Sequence, residues 1–489
     1  MSLAAVVAAG ERVAAGLRAR GVVEGDVIAV QVPNWVEGAV SYAAAMILGA
    51  VLVPIVHIYG PAEVGFILRQ SRARVFVVPD RWRNIDYLGR LRALTDVAPI
   101  EQVVVIGDAV PAGAIAWEDL AADPARVTGS SGATADDAAL LVYTSGTTGE
   151  PKGVLHSHNT LLAELRASET ALPGVSLGAF PAGHIAGVLS LLRCFVSGSS
   201  VVMLDAWDPT IAAAAVERFG VQSTAGTPYF LTSLVEAADL DEHDISSLRS
   251  FMVGAASVPP SVVRMASARG IGAYRAYGST EHPTVTTGVA IESDDERATT
   301  DGSPAAGNEL RIVDDAERDV PAGERGEILT RGPEQFLGYS DSRHDAEAFT
   351  DDGWFRTGDI GVYANGHLTI VDRKKDLIIR GGENISSKEI EDLLLLHPSI
   401  ADAAVVAAPD PKLGEVVCAF VVLHAHATID LAGVGELFTA AGVARQKTPE
   451  RLVLVDELPR GPGGKVQKVE LRARLAADAG GRASETAPS

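Results

Sequence analysis

The chain has 489 residues, of which 47% are hydrophobic, and a formal net charge of −22. That length implies roughly two to four domains, with ample apolar material for a large core. The acidic balance excludes a nucleic-acid partner, because a phosphate backbone needs a basic face.

Glu11 and Arg12 stand where a secretory signal would need its apolar region. Apolar strand-like runs then alternate with Ala-rich helical runs. Val27–Val30 precedes a helix over Val36–Leu48, and Val51–Val53 precedes one over Ala62–Gln70. The uncharged stretch Ala39–Gly60 is nearly long enough to span a bilayer. Gly49 and Pro54 divide it into a buried helix and a buried strand over Ala50–Val56, so no transmembrane segment is expected. Val75–Val78, Val103–Ile106 and Ala138–Tyr143 are further strands. Ser200–Leu204, Gln222–Ala225, Phe251–Val253 and Tyr274–Tyr277 follow, with a helix over Ile211–Phe219. This alternation predicts α/β layers built on parallel sheets. From Gly307 the texture changes: Glu309–Val313, Gly326–Thr330 and Val362–Val371 read as shorter strands of a β-rich subdomain. The charged run Asp372–Asp376 reads as a solvated linker. Beyond it lie a helix over Ser387–His397 and strands over Ala403–Ala408 and Val416–His424, then a polar tail over 478–489. Cys194 and Cys418 are far apart and form no CxxC pair, so neither a disulfide framework nor a zinc site is expected, and a reducing cytoplasm fits.

The strand at Ala138–Tyr143 runs into YTSGTTGEPKGV, Tyr143–Val154. Its Ser, Thr, Gly and Pro are ordinary loop residues. They also suit a cradle in which successive backbone N–H groups face a phosphate, with hydroxyls from Thr144, Ser145, Thr147 and Thr148 and a compact charge on Lys152. The P-loop of GTPases is excluded, since Lys152 follows Gly149 at the wrong distance.

Five segments carry a family resemblance: YTSGTTGEPKG at Tyr143–Gly153, YGSTE at Tyr277–Glu281, GWFRTGD at Gly353–Asp359, DRKKDLIIRGGENIS at Asp372–Ser386 and LPRGPGGKVQK at Leu458–Lys468. In order and spacing, over nearly the whole chain, they resemble the adenylate-forming superfamily: acyl-CoA synthetases, luciferases and peptide-synthetase adenylation domains. The resemblance implies a large N-terminal α/β domain over 1–374, with the β-rich subdomain inside it. It implies a hinge at Lys375 and a small mobile α+β domain over 376–477. It also implies ATP, Mg²⁺ and coenzyme A. A carboxylate attacks the α-phosphorus of ATP, pyrophosphate leaves, and a thiol then takes the acyl group.

The resemblance assigns roles by position. The loop Thr144, Ser145, Gly146, Thr147, Thr148, Gly149 and Lys152 would wrap the β- and γ-phosphates. Gly254, Ala255, Ala256, Tyr277, Gly278 and Ser279 would receive the adenine, Thr280 the α-phosphate, and Glu281 the Mg²⁺ together with phosphate oxygens. Asp359 and Arg373 would hold the ribose. Lys465 would bridge the carboxylate, the α-phosphate and the ribose during adenylation. Gly381, Gly382, Glu383 and Asn384 would line the pantetheine path; Lys468 reads as a solvated charge, and so do Arg445, Lys447 and Arg451. His184 matches a position beside the acyl pocket, with Gly183, Gly187, Gly226, Thr227 and His282 as walls. Phe180–Gly187 contains no acidic residue, which disfavours an amino acid substrate. A fatty, alicyclic or aromatic acid is expected, with a homodimer compatible. Family members usually carry a further helix and a β-hairpin before the point matching Leu3, which implies a mis-set start or a trimmed edge. Transfer to a carrier protein's phosphopantetheine, luciferase-like oxygenation and a silent nucleotide-binding homologue stand as rivals to the CoA ligase.

Overall fold

Two groups of strands organise the chain, and each belongs to one of two compact units: Met1–Leu310 with Thr330–Phe355, and Arg311–Leu329 with Arg356–Ser489. The computed structural model describes residues 1–94, 100–121, 125–127, 131–144, 151–167, 174–381, 383–461 and 464–475. The expected tail over 478–489 lies outside them.

The first unit holds an eight-stranded sheet in the order Gly338–Tyr339, Lys152–Ser157, Ala138–Thr144, Val51–Pro54, Val27–Val30, Val75–Pro79, Gln102–Ile106, Ile115–Ala116. Pairing is parallel from Ala138–Thr144 to Ile115–Ala116 and antiparallel at the other edge. Its strands are buried nearly continuously, as in Val75–Pro79, which explains why they read as unbroken apolar runs. The second sheet is seven-stranded and begins Ser200–Met203, Val175–Gly178, Ser223–Gly226, Ser250–Val253, Gly272–Tyr277, all parallel. Buried Asn34 ties the sheets together: its Nδ2 donates to the carbonyls of Phe180 and Leu204, both at 2.9 Å, and its Oδ1 accepts from Ala182 N at 2.8 Å. The stretch Ala39–Gly60 divides as its sequence suggests. The helix Val36–Leu48 stops at Gly49, whose φ of 68° is left-handed, and the strand Val51–Pro54 follows. No helix among the described residues is long and apolar enough to cross a membrane.

In the second unit the run Val362–Val371 is a hairpin rather than a strand. Phe355–Ala364 and His367–Arg373 pair through a two-residue turn at Asn365 and Gly366, with φ of 53° and 84°. Two successive positive φ values define the tight turn that Asn-Gly favours. The run Asp372–Asp376 is not a solvated linker. The Asp372 carboxylate is buried and accepts from the backbone N–H groups of Ser387, at 2.5 Å, and Lys388, at 3.3 Å, holding the start of the helix Ser387–Leu394. Asp376 is buried against Arg472. The compact units part after Phe355, upstream of the division at 374 that the resemblance implies. Lys468 is no solvated charge either. Its ammonium lies 2.8 Å from Glu391 Oε1 and donates to Ser387 Oγ at 2.7 Å. Burial opposes that charge, but Glu391, Asp376 and Asp372 outweigh it and raise the lysine pKa.

A polar layer is buried in the first unit beneath the segment after Gly272–Tyr277. His282 is fully enclosed, with Nδ1 2.9 Å from Thr330 Oγ1 and Nε2 3.4 Å from Glu334 Oε1. Asn308 donates to Glu334 and, at 2.9 Å, to the Thr284 carbonyl, while Thr284 Oγ1 donates to Glu164 Oε1 at 2.8 Å. Burial, then the neighbouring Glu334, push Glu164 up to about 8. Two carboxyl groups this close cannot both ionise cheaply, so the pair shares a proton at neutral pH.

Two stability predictions follow from these buried groups. Lys468→Met strands the Glu391 carboxylate and is expected to cost about 3–5 kcal/mol in urea unfolding, most of it recovered in Lys468→Met/Glu391→Leu. For Glu164, a folded pKa above the unfolded one means that stability is present at low pH and lost as pH rises toward about 8. The melting temperature should therefore decline between pH 5.5 and 8.5 more steeply in the wild type than in Glu164→Gln, which does not titrate; parallel slopes would contradict the shared proton.

Candidate active site

Parallel strands end on a common edge, and in open parallel sheets ligands settle beyond the carboxyl ends. The second sheet brings the expected residues of the first unit to that edge. Phe180–His184 follows the strand Val175–Gly178, Thr227 follows Ser223–Gly226, Gly254–Ala256 follows Ser250–Val253, and Gly278–Glu281 follows Gly272–Tyr277. Ala255 has a φ of 61°. A non-glycine residue held left-handed is a strain that the surroundings must maintain, which directs attention to this shelf.

After Tyr277 the chain doubles back. A Cβ on Gly278 would lie 1.8 Å from the Pro283 carbonyl oxygen, so only glycine fits. Ser279 N donates to the His282 carbonyl at 2.9 Å, and His282 N donates to Ser279 Oγ at 3.2 Å. Phe336 N donates to the Glu281 carbonyl at 2.9 Å. His156 Nε2 lies 2.8 Å from the Thr280 carbonyl, which can only accept, so that nitrogen carries the ring proton. Burial pulls His156 down to about 4, leaving it neutral. The Glu281 side chain accepts from the Tyr339 hydroxyl at 2.9 Å. On the first sheet, Thr144 and Lys152 are register partners across the strands that flank the Gly-rich loop. Ser145, Gly146, Thr147, Thr148 and Gly149 lie outside the described residues. Lys152 itself starts the returning strand, its ammonium 5.0 Å from the centre of the Tyr339 ring.

His184 caps the helix Ile185–Ser197, and its enclosed Nε2 has no hydrogen-bond partner. Burial pulls it down to about 4, so it is a neutral imidazole. His57 is a second one: burial first, opposed by Asp205 and reinforced by His184, brings it to about 4, and its Nδ1 is also unpartnered. Its ring stands edge-on to Trp82 at 4.8 Å. The expected glycines owe their smallness to packing. A Cβ on Gly183 would lie 2.3 Å from Val56 N, and one on Gly187 would lie 2.1 Å from the Pro181 carbonyl oxygen. On Gly226 it would meet Phe230 at 3.0 Å. Thr227 is buried, with Oγ1 unpartnered. The His282 side chain, expected in the wall of the acyl pocket, instead faces the enclosed layer of Thr330 and Glu334.

In the second unit Asp359 and Arg373 meet because they are register partners in the hairpin, and Arg373 Nε donates to Asp359 Oδ1 at 2.9 Å. Arg373 is the main cause that lowers Lys465 to about 8, with burial second and Asp359 opposing. Lys465 as a residue is exposed, so repulsion from the guanidinium is the cause to weigh most. Lys375 is lowered to about 8 by burial and then Arg373. Gly381 has a φ of 59° at the turn between Ile378–Arg380 and Glu383–Ile385, a local reason for glycine that needs no ligand. Glu383 and Asn384 are exposed on that second strand, and Gly382 lies outside the described residues. Lys447 is not simply solvated, since it pairs with Glu389 at 2.5 Å.

The donor set bears on the expected metal. Among the described residues no group of three or more His, Cys, Asp or Glu could hold an ion unaided. A lone carboxylate such as Glu281 fits Mg²⁺, which takes one or two carboxylates and completes its shell with phosphate oxygens and water. Sequence reasoning missed Tyr339, His156, Glu334 and His57, none of which stands in a segment whose composition signals chemistry.

Residues 1–340 match the AMP-binding enzyme family and residues 389–465 its C-terminal domain. A medium-chain fatty-acid–CoA ligase of Escherichia coli (strain K12) is 37% identical over 93% of this chain and 82% of its own length. An indoleacetate–CoA ligase of Aromatoleum aromaticum is 34% identical over 95% of this chain and 91% of its own. The crystal structure of ATP-bound MatB from Rhodopseudomonas palustris superposes with a TM-score of 0.86 at 30% identity, covering 96% of this chain and 92% of that one. With the family matched over most of its length and the fold shared from end to end, the chain belongs to the adenylate-forming AMP-binding enzymes.

Proposed function

We propose that this protein is an ATP- and Mg²⁺-dependent carboxylic acid–CoA ligase. The observation that carries the reading is the turn Gly278–Glu281 at the carboxyl end of the parallel strand Gly272–Tyr277, with the Glu281 carboxylate held by the Tyr339 hydroxyl. The substrate carboxylate attacks the α-phosphorus, the bond to the bridging oxygen breaks, and pyrophosphate leaves. Coenzyme A sulfur then attacks the acyl carbonyl, and AMP leaves with the bonding pair. Mg²⁺, when bound, neutralises phosphate charge. Tyr277 stacks on adenine, Thr280 donates to the α-phosphate, Asp359 and Arg373 hold the ribose, and Lys465 steadies the charge developing on the α-phosphate. The glycine turn at Gly381, with Glu383 and Asn384, serves the thiol step, and Lys375 serves as pivot.

The acid is fatty, alicyclic or aromatic. His184 and His57 are neutral, and the carboxylate of Asp205 is engaged by Trp82 Nε1 at 2.9 Å and Arg83 at 3.4 Å, an arrangement that favours an uncharged acyl group over one with an ammonium. The names of the two CoA ligases above span a fatty and an aromatic acid. Free cysteines at positions 194 and 418 accord with a cytoplasmic site of action.

The deciding experiment is pyrophosphate release with ATP, Mg²⁺ and coenzyme A across fatty, alicyclic, aromatic and amino acids, with products followed by mass spectrometry. A CoA thioester from one class supports the ligase. Accumulated acyl-AMP without thioester would favour a carrier-protein acceptor, and silence across the panel would overturn the reading. Lys465→Ala should lower adenylation about 10²–10³-fold while sparing thioester formation from supplied acyl-AMP; equal loss of both steps would contradict the division of labour. The pH profile provides a further check. Lys465 must be protonated to meet an anion, so kcat/KM for ATP should fall as pH rises through about 8. Lys465→Arg should abolish that limb and Arg373→Gln should move it to higher pH. A limb that persists in Lys465→Arg would belong to another group such as Lys375.

A further inference from the structure

We propose that Tyr339 is a positioning residue whose phenol keeps the Lys152 ammonium and the Glu281 carboxylate apart, so that both remain available to the nucleotide. The inference rests on the ligase reading only in taking that nucleotide to be ATP.

Sequence placement explains how one ring reaches both groups. The short strand Gly338–Tyr339 pairs antiparallel with Lys152–Ser157, Tyr339 opposite Val154. Residues two apart on a strand share a face, so Lys152 is the diagonal neighbour of Tyr339. The register is secured on both sides, by Leu337 N to the Leu155 carbonyl and Ser340 N to the Gly153 carbonyl, each 2.8 Å. The ring is 8% exposed and stands edge-on to Phe336 at 5.0 Å, so it cannot swing away. From this fixed frame the hydroxyl donates to Glu281 Oε1 at 2.9 Å while the π face receives the Lys152 ammonium at 5.0 Å.

A lysine and a glutamate held by one tyrosine, one over its ring face and the other at its hydroxyl, would gain from direct contact. Among the described residues neither has an ion-pair partner, although the first unit is rich in such pairs. The phenol supplies each with a neutral substitute: a hydrogen bond for the carboxylate and a cation–π contact, worth about 0.5–2 kcal/mol, for the ammonium. A contact of that strength holds Lys152 in place and yields to a phosphate, whereas a salt bridge to Glu281 would have to be broken before ATP could use either group.

The test separates positioning from general support of the sheet edge. ATP affinity is measured by calorimetry in EDTA, so that metal binding plays no part, on wild type, Tyr339→Phe, Tyr339→Leu and Tyr339→Leu/Glu281→Gln, with thermal melts confirming folding. Tyr339→Phe keeps the ring and should bind ATP as wild type does, yet lose about tenfold in acid-dependent pyrophosphate exchange as Glu281 loosens. Tyr339→Leu should weaken ATP about tenfold as Lys152 is captured by Glu281. Glu281→Gln in that background should restore the affinity, which repair of a damaged sheet edge would not do. Unchanged affinity in Tyr339→Leu, or a loss that Glu281→Gln fails to rescue, would overturn the proposal. Wild type that binds ATP but activates no acid would count against the ligase reading instead.

Discussion

The first unit depends on one constraint, the reversal of the chain at Gly278. With a Cβ only 1.8 Å from the Pro283 carbonyl, no other residue lets the segment fold back, and without that fold Thr280 and Glu281 have no fixed position. The reversal spends the backbone groups that face inward on partners from distant elements. His156 from the first sheet takes the Thr280 carbonyl, and Phe336 takes that of Glu281. The side chains add to the frame: Ser279 Oγ accepts from His282 N, and the Glu281 carboxylate accepts from the Tyr339 hydroxyl. The polar layer below, from Glu164 through Thr284, Asn308 and Glu334 to His282, is the consequence: a loop with this much buried backbone needs donors and acceptors beneath it.

The second unit solves a similar problem with β-register. Asp359 and Arg373 lie fourteen residues apart in sequence, yet the Asn365-Gly366 turn makes them cross-strand partners. The same strand delivers Asp372, whose carboxylate anchors the helix Ser387–Leu394. One short segment therefore carries a candidate ribose contact and a structural cap side by side. Substitutions in Asp372–Asp376 will for that reason mix folding and function.

The sequence was most informative where chemistry demands an unusual run of residues. The alternating strands and helices and the Gly-rich run at Tyr143 are legible in composition and spacing, whereas Tyr277, Asp359 and Lys465 stand out only through the family resemblance. It was least informative about what lies beneath. Glu164 sits in an ordinary helix and Lys468 at the end of the polar, glycine-containing segment Leu458–Lys468, and no local pattern distinguishes a buried charge from a solvated one; only the tertiary neighbour does. Gly183 and Gly187 show the converse. The resemblance places them in the walls of the acyl pocket, and backbone contacts with Val56 and Pro181 by themselves require them to be small. The Asn-Gly pair at 365 is itself a hairpin signal inside the run Val362–Val371.

An acidic protein that is to bind a triphosphate must concentrate its few cations against their mutual repulsion. The lowered pKa of Lys465, caused first by Arg373, accords with that repulsion, while Lys375 is lowered first by burial and only then by Arg373. Asp359 offsets part of it but not all. The residual strain favours whatever anion arrives, because a phosphate that touches these groups removes repulsion as well as adding attraction. Under the proposed function, the affinity gained from Lys465 should grow with the negative charge at the α-phosphate and be greatest as that charge builds during attack. This is how a preorganised cationic site favours the transition state over the ground state.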